Sequence, residues 1–396
     1  MRGGVRMRTG IRSIGIAALV YASAAGAVSL HAAQDAVTPP TSLEKALPPG
    51  ADAEYIWKNN CATCHALDGS GSPQSIVGFT MPFPNGDSLP DFSDCTTNTV
   101  EPFADWNAVI HRGGPIRGLD RHMPAFGDAL TDEQIEGLIH YAWTLCKEDG
   151  WPRGDLNFPR AFFTEKAFPE SESVWTAAFS TTGPKEVSND LVYEHRIKKR
   201  SQYEITIPLG FERPSPGASW TRGVGDVEFA LRRSFIASLD HAFIFAAGGA
   251  VTVPTGKEDR GLGEGVWVWE PFAMFAKGLG ANGFIQMHGG RMLPSDRAKV
   301  DRSNYLRTAL GYTYAQDQGF GRAWTPMTEI LWSKEKGGNS VVDIVPQVQV
   351  SLNKLQHILI SVGVSVPATE REGRHPQVLT YFLWDWFDGG LTQFWH

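Results

Sequence analysis

From residue 171 to the C-terminus the hydrophobic residues recur at every second position, and no other feature constrains the fold as strongly. Successive side chains of a strand point to opposite faces, so this period gives each segment one apolar and one polar face. At 203–212, Tyr203, Ile205, Ile207, Leu209 and Phe211 share one face; Glu204, Thr206, Pro208, Gly210 and Glu212 share the other. At 342–352, Val342, Ile344, Val348, Val350 and Leu352 oppose Asp343, Gln347, Gln349 and Ser351. At 357–366, Ile358, Ile360, Val362, Val364 and Val366 oppose His357, Ser361, Gly363 and Ser365. Turn-forming residues separate about twelve such segments, starting near 173 and ending with 376–387.

An even strand count with an apolar face against a charged, small-residue face predicts an antiparallel up-and-down β-barrel of about 12 strands over 171–396. In the outer membrane its apolar set faces lipid, and Trp267, Trp269, Trp324, Trp332, Trp384 and Trp386 fall where aromatic girdles belong. The polar face then becomes the lumen, with Glu204, Glu212, Glu228, Glu270, Glu329, Asp343, Asp385, Arg196, Arg232 and Arg307. Such a set forms an internal salt-bridge ladder or binds a cation. The alternative is a soluble β-sandwich or lipocalin-like barrel, with the same apolar residues turned inward. Pro208, Pro271, Pro326 and Pro346 fall mid-segment. Proline cannot donate to a ladder, so in a closed barrel these positions mark either bulges or strand limits that fall elsewhere.

The N-terminal part is different. Arg2, Arg6, Arg8 and Arg12 precede the apolar run 13–30 and then small residues, the layout of a secretory signal peptide over 1–33. That run is the only long unbroken apolar stretch, which excludes a multi-span helical membrane protein. Pro39, Pro40, Pro48 and Pro49 make 34–50 a flexible lead-in. A net charge of −7 argues against a nucleic-acid partner.

Cys61-Ala-Thr-Cys64-His65 is C-x-x-C-H, the attachment motif for a c-type haem. Two thiols one turn apart add to the two vinyl groups of one porphyrin, and His65 then lies under the iron. A thioredoxin-like pair has no need of the histidine, and a zinc site needs a second ligand pair. Met123, in Arg-His-Met-Pro-Ala-Phe-Gly at 121–127, is the expected sixth ligand; Met81, His111 and His122 are its rivals. Residues 52–60 read as the helix delivering the motif. Thr131-Asp-Glu-Gln134 is a capping box opening a helix with Ile135, Leu138, Ile139, Ala142 and Leu145 on one side. Cys95 and Cys146 remain, an even pair in an exported chain. They predict a disulfide, with two buried thiols as the alternative.

On these residues, with Gly69 and Gly71 after the motif and Leu-Thr-Asp-Glu-Gln-Ile at 130–135, residues 47–150 resemble a class I cytochrome c domain, an all-α fold. The resemblance implies one covalent haem c (heme c) on Cys61 and Cys64, with His65 and Met123 as axial ligands. Filled axial positions imply an electron carrier rather than an enzyme.

The expected organisation is a monohaem domain over 51–148, a linker over 149–170 holding Pro152, Pro159 and Pro169, and the barrel over 171–396. Twelve strands tilted about 40° and roughly 4.8 Å apart close a backbone diameter of roughly 24 Å. A domain of about 100 residues exceeds roughly 30 Å. The haem domain therefore belongs outside the bore, at the periplasmic mouth. The expected function is single-electron exchange with a periplasmic redox protein by a domain anchored in outer-membrane lipid. The architecture is also similar to the fused porin–cytochromes, which implies an electron conduit across the outer membrane. A third reading is a solute channel with a docking or redox-sensing cytochrome.

Overall fold

The computed structural model describes residues 50–71, 89–182, 185–213, 219–315 and 322–385. The signal peptide, nearly all of the lead-in, Met81 and Trp386 with the tail after it lie outside the described residues.

The N-terminal domain is built from short helices. Asp52 caps α1 (Ala53–Ile56) by accepting from the Tyr55 amide at 2.7 Å. The helix continues as a wide π turn, Trp57–Cys61, and closes as α2 (Ala62–His65). Asn59 and Asn60 donate to the carbonyls of Tyr55 and Ile56, four residues back, a side-chain competition that accompanies such widening. Next come α3 (Cys95–Asn98), α4 (Phe103–Arg112) and α5 (Asp132–Trp143). Thr131 and Gln134 form the expected reciprocal capping box, at 3.2 and 2.9 Å. Ile135, Leu138, Ile139 and Ala142 of α5 bury against Ile56, Trp57 and Ile110 in one core. A Cys95–Cys146 disulfide, closing a separation of 51 residues, ties the start of α3 to the chain beyond α5.

Twelve long strands follow. They are β1 (Glu172–Ser180), β2 (Lys185–Ile197), β3 (Ser201–Arg213), β4 (Val227–Ser238), β5 (Phe243–Val253) and β6 (Val268–Leu279). They continue with β7 (Gly283–Pro294), β8 (Ser303–Tyr312), β9 (Ala323–Glu335), β10 (Ser340–Ser351), β11 (Ile358–Pro367) and β12 (Gln377–Asp385). Each pairs antiparallel with its sequence neighbours, and β12 returns to pair with β1, from Glu172↔Asp385 to Ser180↔Gln377. The sheet closes. Short pairings at Thr221–Val224 and Tyr314–Ala315 extend β3 and β9.

The alternation resolves as expected for a barrel polar inside and apolar outside. Leu231 and Trp269 are each 57% exposed on the outer face, and Val362 49%. On the inner face Glu194, Glu204, Arg232, Glu329, Gln347 and Gln349 are buried. Trp267, Trp269 and Trp332 lie near one rim, and Trp324 and Trp384 near the other, where β1 begins and β12 ends. Only Pro208 lies at a bulge, where residues 207–208 oppose 225–227 between the pairs Thr206↔Glu228 and Leu209↔Val224; Pro271, Pro326 and Pro346 do not. Each pairs on one side and faces a gap on the other. Pro208 pairs with Asp190, while the β3–β4 ladder stops at Thr206. Pro271 pairs with Gly249, and the β6–β7 ladder skips from Trp269 to Phe272. Pro346 pairs with Thr328, and the β10–β11 ladder skips from Ile344 to Gln347. Pro326 pairs with Val348, and the β8–β9 ladder starts only at Met327. A residue without an N–H is tolerated where no partner asks for one. A further register slip falls at Ser234/Ile236.

The segment read as a linker joins the two domains and also fills the bore. Glu329 of β9 accepts from the Phe162, Phe163 and Thr164 amides at 3.0, 3.0 and 2.7 Å. Arg160 is paired with Glu172 at 2.7 Å and Glu194 at 2.5 Å. Arg232 reaches Glu194 at 3.0 Å and Glu165 at 3.3 Å, and Lys166 pairs with Glu170 and Glu172. Tyr381 donates to the Arg160 carbonyl and Arg307 to that of Phe163. The inward charges thus form the expected salt-bridge network, but its partners are on the threaded segment as well as the wall. Glu170, Glu172 and Glu194 lie close together and are neutralised by Arg160, Lys166 and Arg232.

Two outcomes are expected. Removing one partner of a buried pair strands the other, so Glu194→Ala should cost about 3–5 kcal/mol; heat-modifiable gel mobility in detergent reads it, and an unchanged midpoint contradicts the plug. Replacing Cys95 and Cys146 by Ser should destabilise the helical domain by about 2–4 kcal/mol, seen as an earlier first transition in calorimetry.

Candidate redox site

The site is assembled on the helical core. Cys61 ends the wide turn, and Cys64 and His65 follow on α2, so the three side chains leave one short helical stretch. Both thiols are free and half-buried. Cys61 packs on the same hydrophobic cluster as Met123, which brings together residues 62 positions apart in the sequence. Aromatic rings surround the imidazole: Phe92 at 4.9 Å and Trp57 at 6.0 Å, with Trp106 4.8 Å from Phe92. The Trp57 indole is held by donating to the Ala66 carbonyl at 3.0 Å.

Met123 lies on a loop folded back against α4. Gly114 donates to the Met123 carbonyl at 2.9 Å, Phe126 to Ile110 at 2.9 Å and Gly127 to His111 at 3.0 Å. The two histidine rivals are engaged elsewhere. His122 Nδ1 sits 2.5 Å from Asp120 Oδ1. His111 packs under Gly127, where an added Cβ would stand 2.5 Å from Nδ1, and its Nε2 faces Asp132 at 3.8 Å. Met81 lies outside the described residues.

Burial lowers the His65 imidazole to about 4. It is neutral at physiological pH, the form with a lone pair for a metal. Burial, with Cys64 beside it, pushes the Cys61 thiol up to about 12. Buried His65 Nδ1 and Trp106 Nε1 have no hydrogen-bond partner among the described residues. Two free thiols, a neutral imidazole directly after them, a thioether on the same core and unspent buried donors fit a c-type haem. The aromatic shell of Trp57, Phe92 and Trp106 was not legible in the sequence, because the three residues follow no common spacing.

The domain sits on the barrel end that carries both barrel termini and the turns 198–200 and 352–357. Lys199 pairs with Glu148 at 3.4 Å, and Arg200 donates to the Gly150 carbonyl at 2.6 Å. His357 reaches Glu101 at 3.3 Å. A cavity of 390 Å³ lies between Thr96, Glu101 and Asp105 on one side and the plug and β-turns on the other. Burial would raise the Glu101 carboxyl, but His357 and Arg117 hold it down at about 2. Asp105 goes the other way: burial, with Glu101 beside it, keeps its carboxyl well above the usual range despite Arg117.

Residues 48–141 match the family profile described as cytochrome c oxidase, cbb3-type, subunit III. None of the curated proteins matches the chain. Among solved structures, an outer membrane channel from Pseudomonas putida F1 is similar at 16% identity, covering 57% of this chain and 99% of that one, with a TM-score of 0.43. The KdgM porin in complex with disordered oligogalacturonate is similar at 11% identity, covering 54% and 98%, with a TM-score of 0.37. The NanC porin is similar at 7% identity, covering 54% and 98%, with a TM-score of 0.39.

A depressed carboxyl stabilises the fold above its unfolded pKa and loses that contribution as pH falls through its folded value. The Glu101 contribution is therefore complete above about pH 4.5 and is lost between there and about 2. Asp105 acts in the opposite sense and is itself raised by Glu101, so the comparison is made in an Asp105→Asn background. Glu101→Gln should flatten the acid limb of a thermal-midpoint profile; an unaltered limb contradicts the assignment.

Proposed function

We propose that the c-type cytochrome domain at 48–141 holds one haem through thioether bonds to Cys61 and Cys64, with His65 and Met123 as axial ligands, and that the chain carries single electrons. The observation carrying this reading is the convergence of Cys61 and Met123 on one buried core, with the Cys64 thiol and a neutral imidazole on the same helical stretch as Cys61. Bound there, the haem supplies reversible one-electron chemistry at iron. The chain's residues do the rest. His65 presents its lone pair from a helix end fixed by the Trp57 indole. Met123 contributes a weakly donating thioether, which favours the reduced state and a high potential. Ile56, Ile135 and Ile139 are buried in the adjoining core, which limits the access of water and so the reorganisation that accompanies electron transfer. With His65 and Met123 both ligating, the bound haem would offer no position to a substrate.

The barrel is proposed as an outer-membrane anchor with the cytochrome domain in the periplasm. The outward apolar face and tryptophans near both rims support the lipid setting. The plug supports anchoring over solute passage, because residues 158–166 occupy the bore. A periplasmic redox protein is the proposed partner.

The oxidised protein should show a weak near-infrared Met–Fe band. Met123→Ala should abolish the band and lower the potential, and Met81→Ala should leave both; the reverse pattern overturns the ligand assignment. In liposomes, a cysteine at Ile207 in a Cys95→Ser/Cys146→Ser background should be reached by a lipid-soluble relaxant and one at Thr206 should not. Shielding of position 207 from lipid removes the membrane anchor. Reduction of an enclosed acceptor in the same liposomes would replace the anchor reading by the conduit.

A further inference from the structure

We propose that Arg117 is a positioning residue through which the barrel holds the loop carrying Met123, so that docking on the barrel tunes the sixth ligand. This rests on the haem ligation proposed above. Arg117 ends the 3₁₀ turn Gly114–Arg117 and is 2% exposed. Its Nη2 is 2.5 Å from Asp105 Oδ2 on α4 and 3.1 Å from the Leu355 carbonyl, 238 residues away in the turn between β10 and β11. One buried cation thus bridges the helical domain and the barrel. Both bonds come from Nη2, whose two N–H groups serve the carboxylate and the carbonyl together.

The same turn is fastened to Met123. Gly114 donates to the Met123 carbonyl at 2.9 Å, Leu119 returns to the Gly114 carbonyl at 3.0 Å, and Met123 donates to Asp120 at 3.3 Å. The packing leaves no slack: a Cβ on Gly114 would meet the Asp120 carbonyl at 2.2 Å and Met123 Cβ at 3.2 Å. Gly113 has φ +82° and stands as close to the Met123 carbonyl, at 3.0 Å for an added Cβ. The barrel side is equally fixed. Asn353 Oδ1 accepts from the His357 and Ile358 amides at 3.1 and 3.2 Å, and His357 holds Glu101 at 3.3 Å. A shift of this turn relative to the domain either drags Arg117, and with it the loop, or leaves a buried cation short of a partner.

Added imidazole competes with Met123 for ferric iron, so its apparent affinity reads how firmly the loop is held. In the full chain in detergent, Arg117→Ala should bind imidazole at least about fivefold more tightly than wild type, the lower end of typical intersite couplings. His357→Gln, which removes the barrel's pairing with Glu101 and leaves Arg117 in place, should shift affinity in the same direction by less. Met123→Ala sets the ceiling. If Met123→Ala binds more tightly while His357→Gln and Arg117→Ala match wild type, the coupling is wrong and the haem reading stands. If Met123→Ala matches wild type, Met123 is not the ligand and the underlying reading falls. Should Arg117→Ala fail to fold, His357→Gln alone decides: wild-type affinity there overturns the coupling.

Discussion

Pairing of β1 with β12 leaves the sheet without an edge, and most of the structure follows from that closure. A closed ladder satisfies its backbone donors and acceptors internally, which frees the outer face to be apolar. The inner face cannot be, because inward and outward positions alternate along each strand. The sequence places Glu194, Glu204, Arg232 and Glu329 there, all buried. A bore lined with carboxylates and guanidiniums needs either water or partners.

The chain supplies the partners itself. The segment before β1 enters the bore and presents Arg160, Glu165 and Lys166, together with the backbone amides of 162–164. The order of the chain then does architectural work. A helical domain that precedes a plug must stand at the mouth the plug entered, where β1 starts. That placement brings Glu101, Asp105 and Arg117 against the turn at 352–357. Fusion is thus more than tethering: the docked domain shares buried charges with its anchor.

The strand count and the outward face at 203–211 were legible because a period of two survives in each segment. The disulfide and the capping box were legible from residue type and spacing. The plug was not. Residues 154–170 show neither period, and their partners Glu194, Arg232 and Glu329 lie on separate strands that only closure brings together. Pro271, Pro326 and Pro346 misled for a related reason: a ladder has two sides, and the sequence does not say which side lacks a neighbour. At the redox site, Cys61, Cys64 and His65 are legible because the chemistry itself fixes their spacing. Met123 needed its local Met-Pro context, and its loop's attachment through Gly114 and Arg117 needed the fold.

The central claim is that this barrel-bearing chain carries one covalently attached haem on Cys61 and Cys64. Intact-mass spectrometry tests it most directly, on protein extracted in detergent from an outer-membrane fraction and alkylated without reduction. The account predicts a single species, the processed chain plus one haem, with no alkylated cysteine. A species without haem, alkylated at both Cys61 and Cys64, would contradict it.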